Sequence, residues 1–313
     1  MVKMYRTDIN TNIFEQVTTY EKGTWINLVN PTEGEIDEVC ENINIDPEFL
    51  KYPLDNEEKA RIDNEDNNSL FIIDVPVIEE KDGEKFYSTM PLGMIVVRDD
   101  FFITVSLNSN KVIEDFEEER VRNFYTYKKT RFILQILYLN SSYFLNVLKQ
   151  INKESEATVF LLQKSMKNRE LVQLLNLENS LVYIATSLRS NEVVMEKTLS
   201  GKIIKLYDED EDILEDAIVE NKQAIEMSKI YSDILSGTMD AYASIISNNL
   251  NSVMKFLASI TIVLSLPTMI ASFFGMNVGL PLTNNKFGFL IIIILSVLIS
   301  GITYFWLKKK DML

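Results

Sequence analysis

The alternation of charged and apolar positions ends abruptly at residue 256. From Phe256 to Asn285 no side chain is charged, and 21 further uncharged residues run from Phe287 to Leu307 before the triplet Lys308, Lys309, Lys310. Each run exceeds the roughly 20 residues needed to cross ~30 Å of hydrocarbon. The pattern predicts two membrane helices, one over about 255–274 and one over 287–307. An outer loop at 275–286 joins them and a basic tail, 308–313, follows. The lysines place the tail in the cytoplasm by the positive-inside rule, and Tyr304 and Trp306 suit the aromatic belt at that face. An even number of crossings then puts the large N-terminal part in the cytoplasm as well. The opening residues MVKMYRTDIN have no signal-peptide pattern, which agrees.

Upstream, the chain first mixes strand and helix signals. "WINLVN" (25–30) reads as a strand, and Pro31 to Asn44 as a helix with Thr32 and Glu35 spaced as a capping box. Strand-like runs follow at 70–78, 86–97 and 101–106, with turn pairs at Asp82-Gly83 and Asp99-Asp100. These give an α/β domain over 1–125: a mixed sheet with flanking helices, so that the fold class is α+β with a membrane part attached. After Lys111 the signal turns helical. Residues 130–165 and 168–198 contain neither Pro nor Gly, which predicts a long antiparallel helix pair within 126–200. From about Tyr207 to about Phe273 only Gly237 and Pro267 interrupt, and Leu214, Ile218, Ile225, Ile230, Ile234, Tyr242, Ile245, Leu250 and Val253 recur at helical spacing. A stalk helix over 205–274 therefore continues into the first span.

Composition narrows the function. A net charge of −15 excludes nucleic acid as a partner and favours cations. There is no histidine, and Cys40 is the single cysteine. The chain thus lacks a disulfide framework, the usual zinc ligands and the usual proton shuttle. No nucleophile-base pair or metal cluster of an enzyme is legible.

The first span carries its polarity on one side. Thr261, Ser265, Thr268 and Ser272 are spaced 4, 3 and 4, and the same face extends back through Leu257, Met254 and Asn251 and forward to Gly275. Small hydroxyl residues at such spacing serve either to pack one helix on another, bonding back to their own carbonyls, or to line a path. The second span, richer in Ile, suits the lipid. Two helices cannot enclose water, so a path requires several copies in a closed ring. Asn251 would then form an amide ring, Met254 and Leu257 apolar constrictions, and Thr261 to Ser272 a hydroxyl-lined tube.

At this point the residues resemble a known family. "SGTMDAYASIISNNLNSVMKFLASI" and "LPTMIASFFGMN", with Gly275-Met276-Asn277 closing the first span and the Lys triplet closing the second, are similar to the CorA family of divalent-cation channels. The resemblance is close over 205–313. It implies a homopentameric funnel in the plasma membrane with both termini cytoplasmic, and Mg²⁺ as the transported and regulatory ion, with Co²⁺ and Ni²⁺ as further substrates and no organic cofactor. It also implies a selectivity filter at Gly275, Met276 and Asn277. Asp216 matches an interfacial regulatory aspartate, with Glu79 or Glu80 as its partner, and Asp240 has a similar standing near the inner mouth.

The physics of the outer mouth is consistent with that role. The negative end of the helix dipole faces outward, Gly275 can end the helix with positive φ and leave carbonyls exposed, and Asn277 adds an amide acceptor. Mg²⁺ keeps its waters, so amide and carbonyl oxygens suit the hydrated ion. The sequence departs from the family pattern in having Phe274 where Tyr is usual and in an outer loop, "NVGLPLTNNK", without acids. A Zn²⁺-transporting member is therefore the alternative ion reading, and a non-conducting two-span scaffold the alternative class. The acidic run Asp208 to Asp212 is either a solvated helix end or a set of subunit-interface carboxylates that Mg²⁺ bridges. Neither span holds an ionisable residue, which favours passive conduction over proton coupling.

Overall fold

Runs rich in Ile, Val and Phe form one seven-stranded sheet in the computed structural model, which describes residues 1–65, 67–81, 83–98, 100–165, 168–201, 203–276, 279 and 287–310. The strands are β1 (Val2–Thr7), β2 (Phe14–Val17), β3 (Thr24–Val29), β4 (Arg61–Glu65), β5 (Asn68–Lys81), β6 (Glu84–Val97) and β7 (Phe101–Ser106), in the order β2-β1-β3-β7-β6-β5-β4. Only the β3/β7 pairing is parallel. The sheet is therefore mixed, as the sequence predicts, and all four predicted strands are found. Asp82 and Asp99 of the predicted turns lie outside the described residues.

Helices cover both faces of the sheet. α1 (Glu33–Ile43) and α2 (Pro47–Lys51) bury Ile36, Val39, Phe49 and Leu50 against Ile26, Leu28, Ile72 and Ile103. On the other face, α3 (Lys111–Glu117), α4 (Lys129–Ser165), α5 (Asn168–Leu199) and the start of α6 (Asp208–Phe274) meet Trp25, Phe71, Ile73 and Phe102. Adjacent residues such as Phe71 and Ile72 enter opposite cores because side chains alternate along a strand. With both faces dry, the central strands read as continuous apolar runs. The capping box of α1 forms as predicted: Glu35 N–H donates to Thr32 Oγ1 (3.3 Å), and Thr32 N–H donates to the Glu35 carboxylate (2.8 Å).

The α5 helix is fastened to the sheet where β4 runs out. β4 pairs with β5 only as far as Ile72. Two residues on, with its backbone groups turned to the same edge, Asp74 donates its N–H to Asn191 Oδ1 (2.8 Å). Its carbonyl accepts from Asn191 Nδ2 and from Asn140 Nδ2 of α4, both at 2.8 Å. Side-chain amides thus replace a strand that is no longer there. Pro76 and Pro91 sit in the same stretch of β5 and β6, where the backbone N–H has no ladder partner to lose.

The described residues divide into two units, Met1–Ser236 and Gly237–Leu313, and α6 crosses the division. Within the first unit the buried side of α6 includes Leu214, Ala217, Ile218, Asn221, Ala224, Ser228 and Leu235, close to a 3-4 alternation. This bears out the predicted stripe at Leu214 and Ile218, as does Tyr242 in the second unit, and corrects it elsewhere. Ile230 and Ile234 are exposed, and small residues take the seam because they let α6 approach its neighbours closely. Ser141 of α4 donates to the Ala217 carbonyl (3.1 Å), and Asn221 Nδ2 donates to the Leu188 carbonyl of α5 (3.0 Å). The helical signal after Lys111 is also interrupted. Between α3 and α4 the chain turns through Glu119 and Asn123, both at positive φ (55° and 54°).

The second unit holds the membrane part of α6 and α7 (Gly288–Lys309), both long and apolar enough to cross a bilayer.

One glycine is required by packing. A Cβ on Gly93 of β6 would lie 2.2 Å from Cγ of Pro53, in the short 3-10 turn Tyr52–Leu54. Gly93→Ala is expected to cost about 1–3 kcal/mol, as overpacking of a tight core does. Gly34→Ala on the open surface of α1, where nothing lies within 4 Å, is expected to gain about 0.5–1 kcal/mol. Thermal unfolding of the two variants should move in opposite directions; a Gly93→Ala protein as stable as wild type would refute the contact.

Candidate functional site

The two sides of α6 in the second unit are used differently. Toward α7 the buried and half-buried positions are Ser259, Ile260, Val263, Leu266, Pro267, Ile270 and Phe274. At 100° per residue these fall within one third of the helix circumference. Asn251, Met254, Leu257, Thr261, Ser265, Thr268 and Ser272 are all exposed and centre on the opposite side. Tyr304 of α7 joins Phe256, Ile260, Val263 and Leu264 around a shallow hollow on the covered side. Within one chain, then, α7 leaves the predicted stripe open along its whole length.

The covered face of α7 is equally narrow. Gly288, Ile292, Ser296, Ile299, Ser300, Thr303 and Leu307 are buried or half-buried, while Phe289, Ile294, Val297, Leu298, Ile302 and Phe305 are exposed. Ser296, Ser300 and Thr303 of α7 therefore lie on the seam with α6, between Ile292, Ile299 and Leu307, while most of its Ile, Leu and Phe residues face outward. Small residues at four-residue spacing let two membrane helices approach closely. Ser259, fully buried, is the matching small residue of α6; it stands outside the stripe, and its spacing from Val263, Pro267 and Ala271 was the sequence signal for it. Lys308 and Lys309 occupy the last turn of α7, and Lys310 Nζ lies 5.9 Å from the Trp306 ring centroid.

Three of the four stripe hydroxyls have committed their protons. Thr261 Oγ1 donates to the Leu257 carbonyl (2.8 Å), Ser265 Oγ to Ile262 (2.9 Å) and Thr268 Oγ1 to Leu264 (3.3 Å). Such back-bonding satisfies a donor without a neighbouring helix. The oxygen then presents only lone pairs to whatever lies beside the stripe. The packing and path-lining readings thus meet in the same residues: the proton goes to the backbone and the acceptor faces out.

The end of α6 differs from expectation at Gly275, which is absent from the positive-φ residues. Its N–H donates to the Ala271 carbonyl (2.9 Å) and, more loosely, to Ser272 (3.2 Å), and Met276 N–H donates to Phe273 (3.3 Å). The helix winds down through a tightened turn, and three terminal carbonyls are occupied. Glycine suits this turn because a Cβ would come within 3.4 Å of the Ala271 oxygen. Backbone acceptors for an ion therefore start no earlier than Phe274. Met276 is exposed; Asn277 and most of the loop lie outside the described residues.

The acidic candidates are placed as follows. Asp216, exposed on α6, lines a hollow with Asp115, Arg120, Arg122 and Gln135. Asp115 is held there by Arg120 (3.1 Å) and by the Tyr143 hydroxyl (2.6 Å); burial and the adjacent carboxylate push the Tyr143 phenol up to about 12. Glu79 lines a separate hollow with Asn56, Ser88, Asn108 and Tyr183, and Glu80 is exposed across the ladder from Lys85. Asp240 is exposed in the second unit. One chain does not bring Asp216 together with Glu79 or Glu80, and among the described residues no group of three or more acidic, Cys or His side chains is poised for a metal. The run Asp208 to Asp212 is not wholly solvated. Asp210 is buried and lies 3.2 Å from Arg131 of α4, so it anchors the start of α6.

Comparison with known proteins bears on the family and the fold. The family model described as "CorA-like Mg2+ transporter protein" matches residues 20–309. The cobalt/magnesium transport protein CorA of Methanocaldococcus jannaschii is 27% identical over 298 residues, which are 91% of this chain and 90% of that protein. The complete structure of the CorA magnesium transporter from the same organism superposes with a TM-score of 0.84 at 23% identity, covering 97% of this chain and 96% of the other. The cytoplasmic domain of ZntB from Vibrio parahaemolyticus is a more distant likeness, with a TM-score of 0.57 at 11% identity, covering 80% and 97% of the two chains.

The two faces of α6 make different demands on substitution. Ser259→Leu, which forces four carbons into the seam, is expected to cost about 1–3 kcal/mol. Thr261→Val, which removes a hydroxyl bonded only to its own helix, should stay within about 0.5 kcal/mol. Thermal denaturation of the detergent-purified protein distinguishes them; equal effects would mean that α7 does not seat on the Ser259 side.

Proposed function

The chain belongs to the CorA-like family of Mg²⁺ transporter proteins, membrane transport proteins rather than enzymes, and on that premise we propose that it is a passive channel for divalent cations. Uptake of Mg²⁺ and Co²⁺ fits the relatives' names, and Ni²⁺ would be a further substrate. The observation that carries the reading is the open stripe of α6, running from Asn251 to Ser272 opposite the face seated on α7. Repeated around a symmetry axis, it makes an amide ring, two apolar constrictions and a tube of acceptor-only hydroxyls. A hydrated cation turns its water hydrogens outward, so such a wall can accept them without stripping the ion. Asn277 would complete the outer filter with Gly275 and Met276.

The driving force needs no coupled ion. A divalent cation falling through 100 mV gains about 4.6 kcal/mol, equivalent to a concentration ratio above a thousandfold. Neither span, 256–274 or 287–307, holds an Asp, Glu, Lys, Arg or His for proton coupling.

The ring itself is supported by α6. Val219, Ile230 and Ile234 lie exposed in the first unit, an apolar line that a neighbouring copy would cover; a homopentamer with both termini in the cytoplasm is the assembly that the family resemblance implies. Gating would then lie between copies. Asp216 of one subunit and Glu79 or Glu80 of the next, with Asp240 near the inner mouth, would share Mg²⁺ at millimolar concentration and hold the ring closed; loss of the ion would leave like charges facing each other and open it. A Zn²⁺-conducting variant of the same channel is favoured by one feature, the outer loop without Asp or Glu, which does not concentrate Mg²⁺.

Liposome flux with Mg²⁺, Co²⁺, Ni²⁺ and Zn²⁺ tests the reading. Wild-type protein should pass Mg²⁺ faster than Zn²⁺, and Asn277→Ala should lower Mg²⁺ flux by at least tenfold. No flux of any ion would favour a scaffold, and unchanged flux in Asn277→Ala would sink the filter. In the same vesicles Asp216→Ala/Glu80→Ala should relieve the inhibition produced by millimolar Mg²⁺ on the side of the cytoplasmic domain. Inhibition that persists in full would place the sensor elsewhere.

A further inference from the structure

Where α4 and α6 begin, the first unit has a hollow of ≈ 660 Å³ that the channel reading does not use. Among the described residues its wall carries Lys128, Lys129, Arg131 and Lys205 against two carboxylates, Glu209 and Asp210, and Lys129 is already engaged. Tyr127 and Tyr207 form its sides. A surplus of positive charge in a concavity is notable in a chain of net charge −15.

Three further features point to an anion. The first turn of α4 contains no acidic residue, and Lys128, which precedes it, has no side-chain acceptor with which to cap it. Cations at a helix N-terminus run against the helix dipole, and the amide hydrogens there remain available to an external acceptor. Next, the Arg131 guanidinium touches Asp210 through one terminal nitrogen (3.2 Å), but its buried Nε–H has no partner among the described residues. The Arg131 side chain is 19% exposed, but its Nε is closed to solvent, and an unpaired donor there is costly unless something supplies an oxygen. Finally, Lys205 Nζ lies 5.2 Å from the Tyr207 ring centroid and Lys128 Nζ 5.6 Å from that of Tyr125, so both ammonium groups are held at the rim by aromatic faces.

We propose that this hollow binds a soluble polyphosphate anion, its oxygens lying against Lys128, Lys205 and the Arg131 Nε–H at the start of α4. Phosphate oxygens are acceptors in every direction, as a ring of lysines, helix amides and a guanidinium edge requires. A monocarboxylate would satisfy one donor and leave the rest. The bound anion would share Arg131 with Asp210, and so would touch the first turn of α6. The proposal rests on the first unit alone and stands or falls independently of ion conduction.

The test is calorimetric titration of the full-length, detergent-purified protein with sodium tripolyphosphate and, separately, with ATP, both in EDTA. Saturable binding of at least one is expected. Lys128→Gln/Lys205→Gln should weaken it at least tenfold, and Arg131→Lys, which keeps the charge but loses the Nε–H, should weaken it several-fold. Tighter binding of ATP than of tripolyphosphate, abolished by Tyr207→Ala, would add a base stacked on that ring to the same site. Both lysines are exposed, and unchanged circular dichroism would show that the variants fold. No saturable binding of either probe, equal binding by the lysine variant, or binding only to vesicles containing phosphatidic acid would overturn the proposal.

Discussion

A membrane helix has one circumference to divide, and in this protein the division of α6 decides the rest. The third of its surface marked by Ser259, Val263, Pro267 and Ile270 seats α7. Because α7 takes only that third, the opposite side stays open with Asn251, Thr261, Ser265 and Thr268 on it. Hydroxyls facing hydrocarbon would be tolerable as single residues, since each donates to its own backbone. A continuous line of them is less easily assigned to lipid, because the uncommitted lone pairs would then face a medium without donors. Water or a hydrated ion would supply those donors, and the proposed ring of copies is what would enclose the water.

The same commitment of donors governs the rest of the chain. Asn191 stands in for a missing strand at Asp74, Asn221 reaches the Leu188 carbonyl, and Ser141 reaches Ala217. In each case a small or amide side chain occupies the seam where a large apolar one might be expected. This lets α4, α5 and α6 lie close to the sheet and to each other, and it pushes Val219, Ile230 and Ile234 to the outside. The apolar surface that would assemble copies is thus a by-product of how tightly the single chain is packed.

Much of this was legible from pattern. The helix pair over 130–198 and the long α6 followed from the absence of Pro and Gly, and the capping box at Thr32 and Glu35 formed as read. The strands that the pattern missed, β1, β2 and β4, are short and polar, as edge or near-edge strands tend to be; "RIDNE" of β4 has no alternation to detect. The buried seam of α6 was read only in part: Leu214, Ile218 and Tyr242 are buried as expected, but large residues weigh most in a hydropathy scan, whereas close helix packing also selects Ala, Ser and Asn. The stripe of the first span was legible as a face, but which side α7 would cover was not, since the Ile-rich α7 conceals its seam of Gly288, Ser296, Ser300 and Thr303. Positive φ at Gly275 was the natural expectation for a helix-ending glycine, and the continued turn replaced it.

That turn bears on how an ion would be met at the outer end. With the carbonyls of Ala271, Ser272 and Phe273 occupied by the N–H groups of Gly275 and Met276, the negative end of the α6 dipole is partly neutralised by its own last turn. An approaching cation would be attracted by the residual field and by oxygens from Phe274 onward rather than by a fan of bare helix carbonyls. Such a mouth is weakly charged and wide enough in chemistry to hold water between protein and ion. Mg²⁺, which surrenders its waters reluctantly, is better served by that arrangement than by a tight cage of carboxylates. The outer loop, with Lys286 and no acid, and the closed helix end act in the same direction: neither offers the negative charge that would capture a bare ion.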